Sequence, residues 1–216
     1  MNSTGRRRST LTFASLAMAL SLGLPVAVSA GQSVDTSSLN PVPPDAYTCQ
    51  ATGSGTICRA YFLDSGTGPV GEFCGADSDP IELVFDGTDA RRATRYYDTN
   101  GDIVLRKVSE QIDAKLIDPA TGRSIITTQI AEFTTTPTTP GDLDNAPFTQ
   151  RGVVRFFAPS FGMLLIDVGR QSLSAGAETT LSESGKHPLD LYFAGDTSVF
   201  AKVCDALGSP GTPPLP

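Results

Sequence analysis

The chain has 216 residues, with Lys plus Arg at 16 and Asp plus Glu at 23. Arg6, Arg7 and Arg8 lie before residue 30 and every acid lies after it, so the remainder carries 13 bases against 23 acids, a net charge of −10. A surface this acidic repels nucleic acid and anionic lipid, and a single histidine with no tryptophan excludes multi-histidine metal sites and catalysis by several histidines.

Residues 1–30 read as a secretory signal. Arg6-Arg7-Arg8 is a positive n-region, Leu11 to Val28 is apolar, and Val28-Ser29-Ala30 sets small residues where a signal peptidase reads. Gly23 and Pro25 break the apolar run and no charged stop-transfer flank follows, which argues for cleavage after Ala30 over a membrane anchor. The paired arginines match a twin-arginine signal only as far as any basic n-region does. No cysteine follows the cleavage point directly, which argues against a lipoprotein. The remaining 186 residues hold no apolar run of about 18, so no membrane span is expected after cleavage. The expected location is secreted, extracellular. Residues 31–46 are polar and Pro-rich and read as a flexible spacer, 47–208 as a single β-rich domain, and 209–216 as a disordered Pro-rich tail.

Taken in order, the domain shows strands and tight turns. The segment Thr52-Gly53-Ser54-Gly55 reads as a four-residue hairpin loop, which sets Cys49 opposite Cys58. An even cysteine count in an exported chain predicts two disulfides. Four cysteines allow three connectivities. The hairpin geometry favours Cys49–Cys58, which leaves Cys74 with Cys204. Strands are expected within 57–64, at 81–85 closed by Asp86-Gly87, at 91–98, and at 103–117. Asn100-Gly101 predicts a type I′ turn between the last two. Asp118 to Arg123 is the next turn, with Gly122 in the left-handed position. Strands at 125–135, 148–158 and 163–168 follow, the last two flanking Pro159-Ser160-Phe161-Gly162. Asp196 caps a helix whose stripe is Val199, Phe200, Val203 and Leu207, ended by Gly208. The fold class is mainly β: an antiparallel meander forming a barrel or half-barrel, with one C-terminal α-helix packed on it.

Familiar motifs are weak here. Gly66-Thr67-Gly68-Pro69-Val70-Gly71 fits G-x-G-x-x-G, but no helix pattern follows to hold a pyrophosphate, so it reads as a loop. Asp98-Thr99-Asn100-Gly101-Asp102 and Asp142-Leu143-Asp144-Asn145 offer the hard oxygens calcium needs, but without a bidentate glutamate or flanking helices. The spacing of the cysteines contains no zinc knuckle. The 134–147 segment is a long polar loop. His187 lies in Ser184-Gly185-Lys186-His187-Pro188, which reads as a solvated loop, and no G-x-S-x-G elbow presents a nucleophile. No cofactor and no metal are expected.

The informative constellation comes from register. Counting back from Asn100-Gly101, Tyr97 faces Val104, Arg95 faces Arg106, Ala93 faces Val108, and Arg91 faces Glu110, all on one side of the ribbon. The same side carries Ile112, Ala114 and Leu116 and is the more apolar, so it is expected to face inward. Opposed arginines there are destabilising unless an anion lies between them. Arg91, Arg95, Tyr97, Arg106 and Glu110 are therefore the candidate ligand contacts, with a structural ion-pair network as the alternative.

The stretches RRATRYYDTNGDIVLRKV, DPATGRS, PGDLDNA and GDTSVFAKVCDALG resemble a group of secreted proteins of high-GC Gram-positive bacteria. The resemblance spans about 49–208. It implies export, a β-rich domain and a short C-terminal helix, and carries no activity. The leading expectation is a secreted, non-catalytic binding protein that holds a small, partly apolar, anionic ligand inside the curved sheet. An extracellular or cell-envelope protein-interaction module, with an unknown protein partner, is the alternative. A cofactor-free barrel isomerase or a hydrolase comes third.

Overall fold

The computed structural model of the protein describes residues 34–76, 79–177, 179–193 and 196–208. The expected signal peptide (1–30), the start of the spacer (31–33) and the tail (209–216) lie outside the described residues. Eight strands form one antiparallel meander in sequence order: β1 Thr48–Thr52, β2 Gly55–Ala76, β3 Asp79–Tyr97, β4 Ile103–Ile117, β5 Ser124–Thr135, β6 Phe148–Ala158, β7 Gly162–Leu173 and β8 Thr180–Lys186. Each strand pairs with its sequence neighbours, and β1 and β8 remain edges, so the sheet is a half-barrel. Two short helices follow, α1 Pro188–Phe193 and α2 Ala201–Leu207.

The mainly β reading with a C-terminal helix stands, and the two longest strands correct its details. Asp86-Gly87 does not end a strand, and Gly66 to Gly71 is not a loop. Both lie inside the long β2–β3 ribbon, where Gly66 pairs with Gly87 and Gly68 with Phe85. A Cβ on Gly87 would collide with Ala114, so glycine lets β3 and β4 approach there. The ribbon becomes irregular only between Pro69 and Phe73, where proline offers no N–H to the ladder.

Turn chemistry explains the hairpins. The first loop is the two residues Gly53-Ser54, shorter than the expected four, yet Cys49 faces Cys58 as counted. The Asn100-Gly101 turn is not type I′. Only Gly101 has positive φ, at 88°, and its N–H donates to the Asp98 carbonyl at 3.2 Å. Asp98 Oδ1 accepts from the N–H groups of Asn100 and Asp102 at 2.8 and 3.0 Å. This is a type I turn followed by a glycine bulge. Tyr97 consequently pairs with Ile103 and not with Val104. A second irregularity then restores the expected pairs, Arg95 with Arg106, Ala93 with Val108 and Arg91 with Glu110. The side they share is the buried one, since Ala93, Tyr97, Ala114 and Leu116 are all buried.

The half-barrel is closed at its two ends by different means. At one end Phe200, Val203, Cys204, Ala206 and Leu207 pack on Leu83, Leu116, Ile125, Phe156 and Leu165. The expected helix there is split. Asp196 accepts from the Ser198 N–H at 3.2 Å and caps a 3₁₀ turn, Thr197–Phe200, which leads into α2. Gly208 ends it at φ 80°. The Cys74–Cys204 disulfide, Cα atoms 5.4 Å apart, ties α2 to β2. Thr121 Oγ1 donates to the Leu207 carbonyl at 2.8 Å, fastening the β4–β5 turn to the same helix end.

At the other end Leu39, Cys58, Tyr97 and Ile103 form a second core, with Val34, Tyr47, Cys49 and Leu143 against it. Residues 34–46 are therefore not the free spacer expected from their composition. Leu39 is buried, and Asn40 bridges Asp102 by backbone and by its side-chain amide at 2.8 Å. Composition misled here because the apolar anchors Val34 and Leu39, with the Asn40 bonds, suffice to dock a Pro-rich segment.

Both disulfides, Cys49–Cys58 and Cys74–Cys204, are formed and no free cysteine remains among the described residues. Their sequence separations of 9 and 130 predict unequal contributions. In the chain-entropy model the long loop contributes about 5 kcal/mol and the short one about 2.6 kcal/mol. Urea unfolding should therefore rank Cys74→Ser/Cys204→Ser well below Cys49→Ser/Cys58→Ser in stability.

Candidate functional site

Alternation along each strand decides what the concave face presents. From β4 it receives Arg106, Val108, Glu110, Ile112, Ala114 and Leu116, and their register partners on β5 are Thr135, Phe133, Ala131, Gln129, Thr127 and Ile125. Continuing across β6 and β7, Gln150 pairs with Gln171 and Val154 with Asp167. The face is thus apolar at its Leu116 and Ile125 end and carries its polar and charged groups from Thr127 and Gln129 to Arg106 and Thr135.

The sequence-predicted residues fall into two groups. Arg95, Tyr97 and Arg106 come together near the second core. The Tyr47 ring centroid lies 5.0 Å from Arg95 Cζ, and Arg95 Nη1 donates to the Tyr97 hydroxyl at 3.5 Å. The Tyr97 hydroxyl in turn donates to the Pro41 carbonyl at 2.9 Å. Burial raises the Tyr97 pKa, and the Arg95 bond and charge oppose that rise.

Arg91 and Glu110 stand apart from this group. Arg91 Nη2 lies 2.5 Å from Asp64 Oδ2 and its Nε lies 3.3 Å from Asp89 Oδ2, so its charge is balanced within the ribbon. Glu110 accepts from Gln129 Nε2 at 2.6 Å. Burial and then the Asp89 charge raise the Glu110 pKa, against the pull of Gln129 and Arg91. The ion-pair network expected as the alternative thus describes Arg91 and, among the described residues, does not extend to Arg95 or Arg106. Glu132 pairs with Arg151 on the outer face.

A cavity of roughly 550 Å³ opens between the sheet and α1. Its apolar walls include Phe85, Ile112, Leu116, Val154, Phe156 and Leu173, and its polar groups include Thr127, Gln129, Gln150 and Gln171. Leu189 and Asp190 of α1 cover it. Gln129 is held by Glu110, and Gln171 donates to Asp190 Oδ2. The Gln150 amide has no hydrogen bond to a described residue.

His187 belongs to the same region and is not the solvated loop residue expected from its neighbours. Its side chain is 10 % exposed. Nδ1 lies 3.2 Å from Asp167 Oδ1, and Nε2 lies 3.2 Å from the Ser184 carbonyl. Asp167 Oδ2 also accepts the Leu189 N–H at 3.1 Å, anchoring α1. A Cβ on Gly169 would sit 2.7 Å from Nε2, so glycine gives the ring its place against β7. Both ring nitrogens face acceptor oxygens, which favours the doubly protonated imidazolium. Burial alone would lower the His187 pKa. The Ser184 carbonyl, the Asp167 bond and the charges of Asp167 and Asp190 outweigh it, and the net shift is upward. Burial and the Asp167 charge raise the Asp190 pKa.

The three glutamines and Asp167 were legible in principle as inward positions of alternating strands. Placing them required the registers of four hairpins at once. The two calcium candidates are explained by turn bonds: Asp142 Oδ1, like Asp98 Oδ1, accepts from a backbone N–H within its own turn. Among the described residues no cluster of three or more metal-ligating side chains occurs.

The convex face carries an apolar strip. Ile130, Val153 and Val168 are successive register partners, with Ile166 beside them. Ile130, Ile166 and Val168 are exposed. No helix among the described residues is long and apolar enough to cross a membrane. No family model, no curated protein and no solved structure matches this chain.

A raised His187 pKa fixes the sign of a pH effect. The contribution is complete below the unfolded value of about 6.5 and is lost as pH rises through the higher folded value. Wild type should exceed His187→Asn in stability by about 1 kcal/mol near pH 6, and the gap should close toward pH 9. Urea midpoints of the two proteins across that range measure it.

Proposed function

We propose that the protein is an exported, non-catalytic binding protein that holds a small, partly apolar molecule against the concave face of its half-barrel. The observation that carries this reading is the cavity between the sheet and α1, of a size suited to a small organic ligand. Its walls supply apolar contact, and Gln150, Thr127 and Gln129 supply hydrogen bonds that fix orientation. Asp167 and Asp190 at its edge disfavour an anion in this place, so the group bound here is uncharged. Export is supported by the leader-like residues 1–30 and by two disulfides, which fit an oxidising compartment. The non-catalytic reading is supported by His187, whose two nitrogens are both engaged and leave no lone pair for a general base.

The convex strip of Ile130, Val153, Ile166 and Val168 favours a second reading, an extracellular interaction module working through the outer face. One titration separates the two. Nile red, a neutral apolar dye, should bind wild type at a single saturable site with enhanced fluorescence. Ile112→Trp fills the cavity and should weaken binding about tenfold or more, with Gln150→Trp as a second plug from another wall. Ile130→Ser on the outer face should bind as wild type does. Loss of dye binding in Ile130→Ser, with the plugged variants unaffected, would overturn the cavity reading in favour of the outer face. Absence of saturable binding by folded wild type would overturn it too.

A further inference from the structure

Arg95 and Arg106 are direct register partners across β3 and β4 on the buried side of the sheet. Neither forms an ion pair with a described carboxylate; the ion pairs present are those of Arg91, Arg151 and His187. The Nε atoms of both are buried and lack a hydrogen-bond partner. The Arg106 side chain has no hydrogen bond to any described residue, and its Nη atoms are not among the buried unpartnered atoms, so they are in contact with solvent. The surroundings are not those of a freely solvated charge. Tyr47 covers one face of Arg95, Cys58 beside it is fully buried, and Thr135 beside Arg106 is 9 % exposed. Two like charges at cross-strand distance in such a setting repel, and the repulsion is weakly screened.

We propose that Arg95 and Arg106 form a binding site for a single small oxyanion, a carboxylate or phosphate group on a small molecule. Two guanidiniums side by side offer paired donors to such a group and gain charge balance when it binds. Tyr97 and Tyr47 fix Arg95 in place, and Arg106 supplies the free donors. The net charge of −10 outside the leader works against large polyanions, which points to a small ligand over nucleic acid or a lipid surface. None of these residues lines the cavity under α1, so the site stands independently of the reading given to that cavity.

The test is thermal unfolding of the exported chain in sodium phosphate, sodium acetate and sodium chloride at matched ionic strength. Phosphate or acetate should raise the wild-type melting temperature in a saturable way that chloride does not reproduce. A larger effect of phosphate assigns a phosphate ligand, and a larger effect of acetate assigns a carboxylate. Arg106→Gln should lose at least about tenfold in apparent affinity while melting no lower than wild type without the anion, because the repulsion is gone. It should bind Nile red as wild type does. Thr135→Glu places a carboxylate beside Arg106. It should melt higher than wild type and lose the response to added anion. Equal shifts in all three salts, or an unchanged response in folded Arg106→Gln or folded Thr135→Glu, would overturn the proposal.

Discussion

The covalent bond between Cys74 and Cys204 is the constraint on which the rest of the structure depends. An eight-stranded meander that does not close leaves one long face uncovered, and apolar residues on it must find a partner. α2 has only seven residues, too short to be stable alone. The disulfide holds it where Phe200, Val203 and Leu207 can fill the end of the half-barrel. The bond from Thr121 to the Leu207 carbonyl and the positive φ at Gly208 then set where the helix stops. Helix, turn and β2 are thereby joined, although they are far apart in sequence.

The opposite end is closed without such a long-range bond. Residues 34–46 fold across it and are secured by Leu39, Asn40 and the Tyr97 hydroxyl, while Cys49–Cys58 pins the edge strand β1. With both ends plugged, the middle of the face retains the polar side chains. They divide by charge. Arg91 is balanced by Asp64 and Asp89 and His187 by Asp167, while Glu110 accepts a hydrogen bond from the neutral Gln129. Arg95 and Arg106 are the pair left without a counter-charge among the described residues. Like charges opposed across a ladder are destabilising, and the cost at this half-buried pair stands until an anion lies between them.

Much of this arrangement was readable from the residues, and its failures have specific causes. The Arg95–Arg106 pairing followed from counting back along the hairpin, and it held because a bulge near Tyr97 restored the register that the three-residue turn had shifted. Gly66, Gly68 and Gly87 misled because glycine marks both turns and close strand approaches, and only the neighbour across the ladder tells which applies. His187 misled for a related reason. The sequence Ser184-Gly185-Lys186-His187-Pro188 has loop composition, but its first three residues end β8, and Asp167 twenty residues earlier claims the ring. Long-range partners of this kind leave no local trace. The cavity was invisible for the same reason: its walls come from seven strands, β2 to β8, and a helix that no local pattern announced.

The shape of the binding face traces to a line of small residues. Ala131, Gly152, Gly169 and Gly185 are successive register partners across β5, β6, β7 and β8. No side chain larger than a methyl rises from that line, and Gly169 and Gly185 adopt φ values of 155° and 121° that other residues rarely take. Such a line is where a sheet bends sharply. A Cβ at Gly152 would strike Ala131, and one at Gly185 would strike the Val168 carbonyl, so the strands meet there more closely than side chains allow. The space that the glycines leave is used on one side by the His187 ring, and the cavity opens beside them at Gln150, Gln171 and Val154. Substituting alanine for Gly169 would therefore act on backbone, imidazole and α1 together, because the Asp167 that orients His187 also holds the Leu189 N–H. Curvature, the seating of α1 and the volume of the cavity are one coupled property of this sheet.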